Sequence, residues 1–309
     1  MFLVNVPVCL AIIAFGAPIL RESRDPQAGG VPDPLAVVLV AAVPAGLSYA
    51  IIEGPRSGWD SARVLVCFAA AVLLTPLLLR RSATAARPVL DLALFRVRQF
   101  RLVNASILSF AVAFYGILLG NIVFLQTVWG YSVLRAALAN APGPLLVALV
   151  ARWASGLAFR IGFRQVLLIG GASWAAGTAL LATGVGDSPH WVTHWLPATL
   201  LTGLGIGLTL PVQSGAAVQS LPPGRYGIGS AISQSFRQLG AVLGISLFVA
   251  VVGDARGNAL LAYQHIWWAF GAIGLGSSLL PFLPRLRRET HPASTTSATP
   301  QAVSPSLDS

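Results

Sequence analysis

The stretch VNASILSFAVAFYGILLGNIVFL, residues 103–125, runs through 23 positions without one charged side chain. About 20 apolar residues in helical form cross a hydrocarbon core of about 30 Å, so this stretch is long enough to span a bilayer. It has no period-2 alternation of the kind barrel strands show, and a lone segment in lipid can satisfy its own backbone groups only as a helix. Working outward, blocks of the same kind lie near 2–20, 34–52, 62–79, 136–155, 165–185, 195–218, 229–252 and 264–284. The expected fold class is therefore all-α, a polytopic membrane protein of nine transmembrane helices. Composition excludes a soluble globular domain: 55% of residues are hydrophobic, 10% are charged and the mean hydropathy is +0.75. Ordinary soluble domains carry about 25% charged residues.

The net charge of +10 is all arginine, since the chain contains no lysine. Where the arginines sit excludes a nucleic-acid partner. If the even-numbered connections face outward, they and their margins hold only Arg56, Arg63, Arg135 and Arg256, and the other sixteen lie on the opposite side. That is the positive-inside asymmetry. It places the basic 80–102 loop and the C-terminus in the cytoplasm and the N-terminus outside a cell (inner) membrane. Trp59, Trp129, Trp191, Trp195, Trp267 and Trp268 then fall at outer ends, where an amphipathic ring prefers the interface. Cys9 and Cys67 lie within apolar spans and read as small core residues.

Phe-Leu-Val-Asn-Val-Pro follows Met1 directly, with no basic n-region and no small-residue cleavage site, so the start is not a secretory signal. A chain that begins outside with a bare span reads as one whose beginning is missing. Residues 80–102, with six arginines around Pro88 and Asp91, form the candidate boundary between three spans and six. Leu90 to Arg96 sets apolar residues at helical spacing beside arginine. It fits an amphipathic segment in the headgroup plane and a solvated basic loop equally. From 285 to 309 the Arg, Ser, Thr, Pro and Ala composition predicts a disordered tail.

Six spans after a boundary fit half of a transporter built from three-helix inverted repeats. Gly203, Gly205 and Gly207 superficially resemble a phosphate-cradling loop, but they sit inside a span with no preceding strand. Close helix contact is the better reading there, and for Gly240 and Gly244. Pro142-Gly143-Pro144 and Pro211 interrupt the hydrogen-bond ladder at membrane depth, which marks the fifth and seventh spans either as interior or as simply kinked.

Polar side chains within spans should face a bundle interior or cavity. The candidates are Asn121, Gln126, Asn140, Gln213, Gln234, Arg237 and Gln238. Phe110, Phe114 and Asn121 share one helix face, which suits a lipophilic solute and equally suits lipid. No Asp or Glu falls mid-span, although a proton-coupled carrier usually needs an embedded carboxylate. His190 and His194 stand four apart with only Asp187 nearby, too few ligands for a zinc site. No nucleophile–base set is placed for hydrolysis, so neither metal, cofactor nor enzyme activity is expected.

Several separate motifs, in order along nearly the whole chain, resemble the major facilitator superfamily, nearest its fourteen-helix drug:proton antiporters. They are Asp91-Leu92-Ala93-Leu94-Phe95-Arg96 through Phe100, Gln126 through Gly130-Tyr131-Ser132, Pro142-Gly143-Pro144, Gly203 through Leu208, and Gly229-Ser230-Ala231 through Arg237-Gln238-Leu239-Gly240. The resemblance makes 1–20 the last helix of an incomplete first half, 21–79 two extra linker helices, and 103–284 the C-terminal six-helix bundle. It implies that five helices and the usual proton-coupling acid are absent. The turn from Gly156 through Arg160 and Gly162 to Arg164 is similar to the superfamily's cytoplasmic loop, but Ser155 takes its first glycine and Phe159 its aspartate. That departure leaves Arg160 and Arg164 as topology charges. The implied function is part of a proton-coupled exporter of lipophilic or cationic small molecules, its partners being the bilayer, the solute and protons. A non-transporting membrane subunit and an importer of the same fold stay open, as does the oligomeric state.

Overall fold

Asp33 starts the first described helix by accepting a hydrogen bond from the Leu35 backbone N–H, with Pro34 in the first helical position where its missing N–H costs nothing. The computed structural model describes residues 33–84, 92–253 and 259–282, together with Pro7. The expected span 2–20, the tail 285–309, Cys9 and Asp91 otherwise lie outside those residues, as do Arg21, Arg24, Arg87 and Arg256.

The helices are α1 (Pro34–Ser57), α2 (Ala62–Thr84), α3 (Arg98–Thr127), α4 (Val133–Asn140), α5 (Pro142–Ile161), α6 (Phe163–Gly184), α7 (Leu196–Gln219), α8 (Tyr226–Gly253) and α9 (Ala259–Leu279). Short turns at Leu92–Arg96, Trp191–Trp195, Pro223–Arg225 and Leu280–Phe282 join or end them. No strand occurs among the described residues, and the protein is all-α. Seven of the described segments are long and apolar enough to cross a membrane, with Val133–Ile161 counting as one. At the place of the expected span 264–284, α9 is 21 residues long and is not among those seven.

Two helices organise the bundle. α3 packs along α8 and α9, while α7 packs between α5 and α6, and α6 closes the ring against α9. The α1–α2 hairpin stands beside this bundle and docks through α1 onto α8. Glycines set the closest approaches. A Cβ at Gly244 would run into the Val112 backbone carbonyl of α3, and one at Gly240 would sit 2.6 Å from the Leu108 carbonyl. Without a hydrophobic drive between helices in lipid, such backbone-to-backbone packing is what holds them together.

Three expectations meet a different arrangement. The fifth span is two helices: α4 ends at Asn140 with Ala141 as its cap and α5 begins at Pro142, because the proline ring cannot continue the ladder. α5 is also not interior, since Leu145, Leu149 and Trp153 are exposed and only a narrow face with Gly143, Ala154 and Ala158 is buried. Trp129, Trp195 and Trp267 do not face an interface. They are buried around Phe124 in a cluster of rings at one end of the bundle, Phe124 and Trp195 stacked with centroids 5.7 Å apart. The Leu92–Arg96 turn docks on the bundle: Leu94 is buried, and the Phe95 ring sits 5.4 Å from Phe100 and 5.6 Å from Phe236.

Candidate functional site

Trp174 of α6 fixes one wall of a cleft in the bundle. Its ring is fully buried, its indole N–H donates to the Phe270 carbonyl at 3.1 Å, and Gly274 of α9 leaves room for it. On the opposite side the α5–α7 contact is tight, because a Cβ on Gly203 would lie 2.7 Å from the Gly143 carbonyl. Gly143 in turn lies against the Thr199 carbonyl. The break at Ala141 releases α5 to make this approach while α4 carries Asn140 to the rim.

Between these walls and α3 lies a cavity of about 340 Å³. Of the residues singled out from the sequence, Phe114 and Asn121 of α3, Asn140, Gly143, Pro144 and Gly203 line it. Phe110 does not: it is fully buried against Trp174, with ring centroids 5.3 Å apart. Gln213 is fully buried lower in α7, where its Nε2 donates to Ser106 Oγ at 2.7 Å, and that hydroxyl donates to the Ser277 carbonyl at 2.6 Å. It ties α7 to α3 and α9 instead of facing the cavity. Gln234 and Gln238 line a second cavity, on the hairpin side of α8. Arg237 points to neither, its Nη2 donating to Ser214 Oγ of α7 at 2.5 Å.

Gly205 and Gly207 seat α7 on its neighbours: a Cβ on Gly205 would meet the Gly170 carbonyl of α6 at 2.8 Å, and one on Gly207 would meet Val150 of α5 at 3.1 Å. At the far end of α5, Gly162 takes φ 99°, a left-handed conformation that glycine adopts freely, and so turns the chain into α6 between the exposed Arg160 and Arg164.

The first cavity has no charged residue in its lining. Thr199 and Thr202 donate their hydroxyl hydrogens to carbonyls three residues back, at 3.0 and 3.1 Å, so they offer only lone pairs. Asn121 gives its Oδ1 to the Trp267 indole N–H at 3.0 Å, which leaves its NH₂ as the free group. The Asn140 amide makes no hydrogen bond among the described residues. The cavity therefore offers aromatic and aliphatic walls with a few fixed polar contacts, the usual make-up of a small-molecule site. Sequence reasoning missed Trp174, Thr199, Thr202, Ile206 and Leu210. A signal for the last four was present, since 199, 202, 206 and 210 follow one α7 face at helical spacing.

The family model described as Major Facilitator Superfamily matches residues 1–245. The chain is 30% identical over 251 residues to the Multidrug resistance protein Stp of Mycobacterium tuberculosis, covering 81% of this chain and 46% of that one. To the Multidrug efflux pump LfrA of Mycolicibacterium smegmatis it is 31% identical over 247 residues, covering 79% and 47%. To the Tetracenomycin C resistance and export protein of Streptomyces glaucescens it is 26% identical over 265 residues, covering 83% and 47%. The chain thus spans about half the length of the curated relatives it matches. A crystal structure of a mutant of the nucleoside transporter NupG shares the fold, with a TM-score of 0.52 and 15% identity over 77% of this chain and 64% of that one.

Proposed function

The chain belongs to the major facilitator superfamily, and from that premise we propose that α3 to α9 form the solute-binding half of an exporter of lipophilic small molecules. The observation that carries this reading is the cavity of about 340 Å³ in which Asn121 and Asn140 offer amides between the rings of Phe114 and Trp174. Relatives named as multidrug efflux and export proteins support the direction of transport.

In the proposed cycle this bundle is one of two. A second helical bundle supplies the remaining wall, and the two rock around the midplane site. Glycines seat α3 on α8 and α7 on α5, close packing that suits this half to move as a unit. The sixteen-to-four arginine split supports a cytoplasmic 80–102 loop and C-terminus, so a solute loaded from that side leaves on the side of the Phe124 ring cluster. Among the described residues Asp33, Glu53, Asp60 and Asp187 all sit at helix ends or in loops. Any proton coupling therefore draws on carboxylates outside the middles of these helices.

Binding of a fluorescent lipophilic cation to the purified chain, followed by polarisation, tests the reading. Thr202→Phe fills the cavity and is expected to weaken binding at least about tenfold, a loss of about 1.4 kcal/mol. Equal affinity in the filled variant, with its helicity intact, would remove the site.

A further inference from the structure

A second cavity, of about 600 Å³, opens between the α1–α2 hairpin and the bundle. Val43 and Leu47 of α1, Leu78 of α2, Leu108 of α3 and Leu243 of α8 give it aliphatic walls, and Gln234 and Gln238 are its exposed amides. We propose that it holds one acyl chain of an anionic phospholipid, whose phosphate sits at the arginine-bearing end of the hairpin. The proposal needs only that the chain is embedded in a bilayer, and does not depend on the solute assigned to the first cavity.

Depth is the first argument. The Arg81 Nε lies 3.6 Å from Asp33 Oδ2, so the end of α2 and the start of α1 share one level. At 1.5 Å per residue, Val40 lies about 10 Å and Leu47 about 21 Å above it. Counted from Tyr226, Gln234 and Leu243 stand about 12 and 25 Å up α8, and Leu108 about 15 Å above Arg98 on α3. Three helices thus place the cavity about 10–25 Å from their arginine-bearing ends, inside a hydrocarbon core about 30 Å thick that an acyl chain enters from its headgroup.

Charge and hydrogen bonding supply the second argument. Arg101 lies seven residues before Leu108, on the same face of α3, and is exposed. Among the described residues only its Nη1 is engaged, at 3.5 Å from the Phe95 carbonyl. Arg81 follows the lining residue Leu78 by one turn of α2, and Arg101 precedes Leu108 by two turns of α3, so two helices bring basic residues to the same end of the cavity, an arrangement suited to a phosphate between membrane helices. Gln234 and Gln238 add exposed amides to the α8 wall, Gln234 being the nearer to the helix start. A flat aromatic solute would find no matching stack, since Phe236 is the only ring in the lining.

The test is photolabelling of the full chain in vesicles of phosphatidylglycerol and phosphatidylcholine, with a trace of phosphatidylglycerol carrying a diazirine on one acyl chain. Label is expected on residues 40–47 and 234–243 at about five times the yield on the exposed α5 positions Leu145, Leu149 and Trp153. Arg81→Gln combined with Arg101→Gln should lower that yield about tenfold, to the level of a phosphatidylcholine probe. Val43→Trp should block it. If a variant does not fold, the wild-type map with the two probes still decides. Equal labelling of the α5 face, labelling indifferent to headgroup, or displacement of the label by tetraphenylphosphonium would each overturn the proposal, the last by giving the cavity to cargo.

Discussion

Trp267 donates its indole N–H to the Asn121 side-chain oxygen at 3.0 Å, so α9 fixes which way an amide on α3 faces. The two residues are 146 positions apart in the chain. Asn121→Leu removes both a cavity donor and the partner of a fully buried indole, and an unpaired buried donor costs about 1–3 kcal/mol. Asn121→Leu is therefore expected to lower the melting temperature and to weaken dye binding. Adding Trp267→Phe should restore the stability and leave binding weak. Thermal unfolding and polarisation read the two effects separately. Recovery of both together would mean that Asn121 acts only by packing.

Gln213 sets a gain against a loss. Its Nε2 bond to Ser106 is of the kind worth about 0.6 kcal/mol between membrane helices, reaching about 1.7 at most. Its Oε1 is buried with no partner among the described residues, at a cost of about 1–3 kcal/mol. The cost exceeds the gain. Gln213→Leu should accordingly leave the melting temperature unchanged or raise it, while Gln213→Ala lowers it by opening a void. A marked drop in Gln213→Leu would show that the carbonyl is satisfied in the working protein.

Gly240 and Gly244 give a prediction with an internal control. Alanine at either would press its Cβ against the α3 backbone, which cannot yield as a side-chain tip can. Gly156 of α5 is exposed and would meet nothing within 4 Å. Gly240→Ala and Gly244→Ala should each destabilise the detergent-solubilised chain. Gly156→Ala should stabilise it, by up to about 1 kcal/mol from helix propensity. The same sign for all three would refute close α3–α8 packing.

These residues also show what was legible in advance. Backbone chemistry could be read: the uncharged run at 103–125 forms the core of α3, and Pro142 breaks its span where proline must. Inside and outside could not be read in the same way. In water an apolar stripe marks the buried face, but lipid is as apolar as leucine, so exposed Leu145 and buried Leu181 look alike in sequence. Gln213 and Gln234 show the same difficulty, one sealed between helices and the other exposed toward the hairpin. Trp129 and Trp195 could as well have been interfacial rings. Burial was decided by partners far along the chain, such as the Gly186 carbonyl that accepts the Trp129 indole N–H at 2.9 Å.

Arg237 carries the sharpest conflict between stability and use. It lies eleven residues into α8, half-buried, with Nη2 on Ser214 Oγ and Nε buried without a partner. No carboxylate stands within ion-pairing distance among the described residues, and an arginine at a span's centre costs about 2.5–3.5 kcal/mol. Arg237→Gln removes that cost and is expected to raise the melting temperature of the purified chain. A charge kept at such a cost within a span is a functional residue by default. In an exporter assembled from this half and a second bundle, as proposed above, the same variant should therefore lower dye export. A double-mutant cycle with Ser214→Ala should return a coupling of about 0.6–1.7 kcal/mol for the hydrogen bond itself. A variant that is both more stable and fully active would reduce Arg237 to a tolerated charge, leaving Ser214 with no role beyond its bond to the α7 backbone.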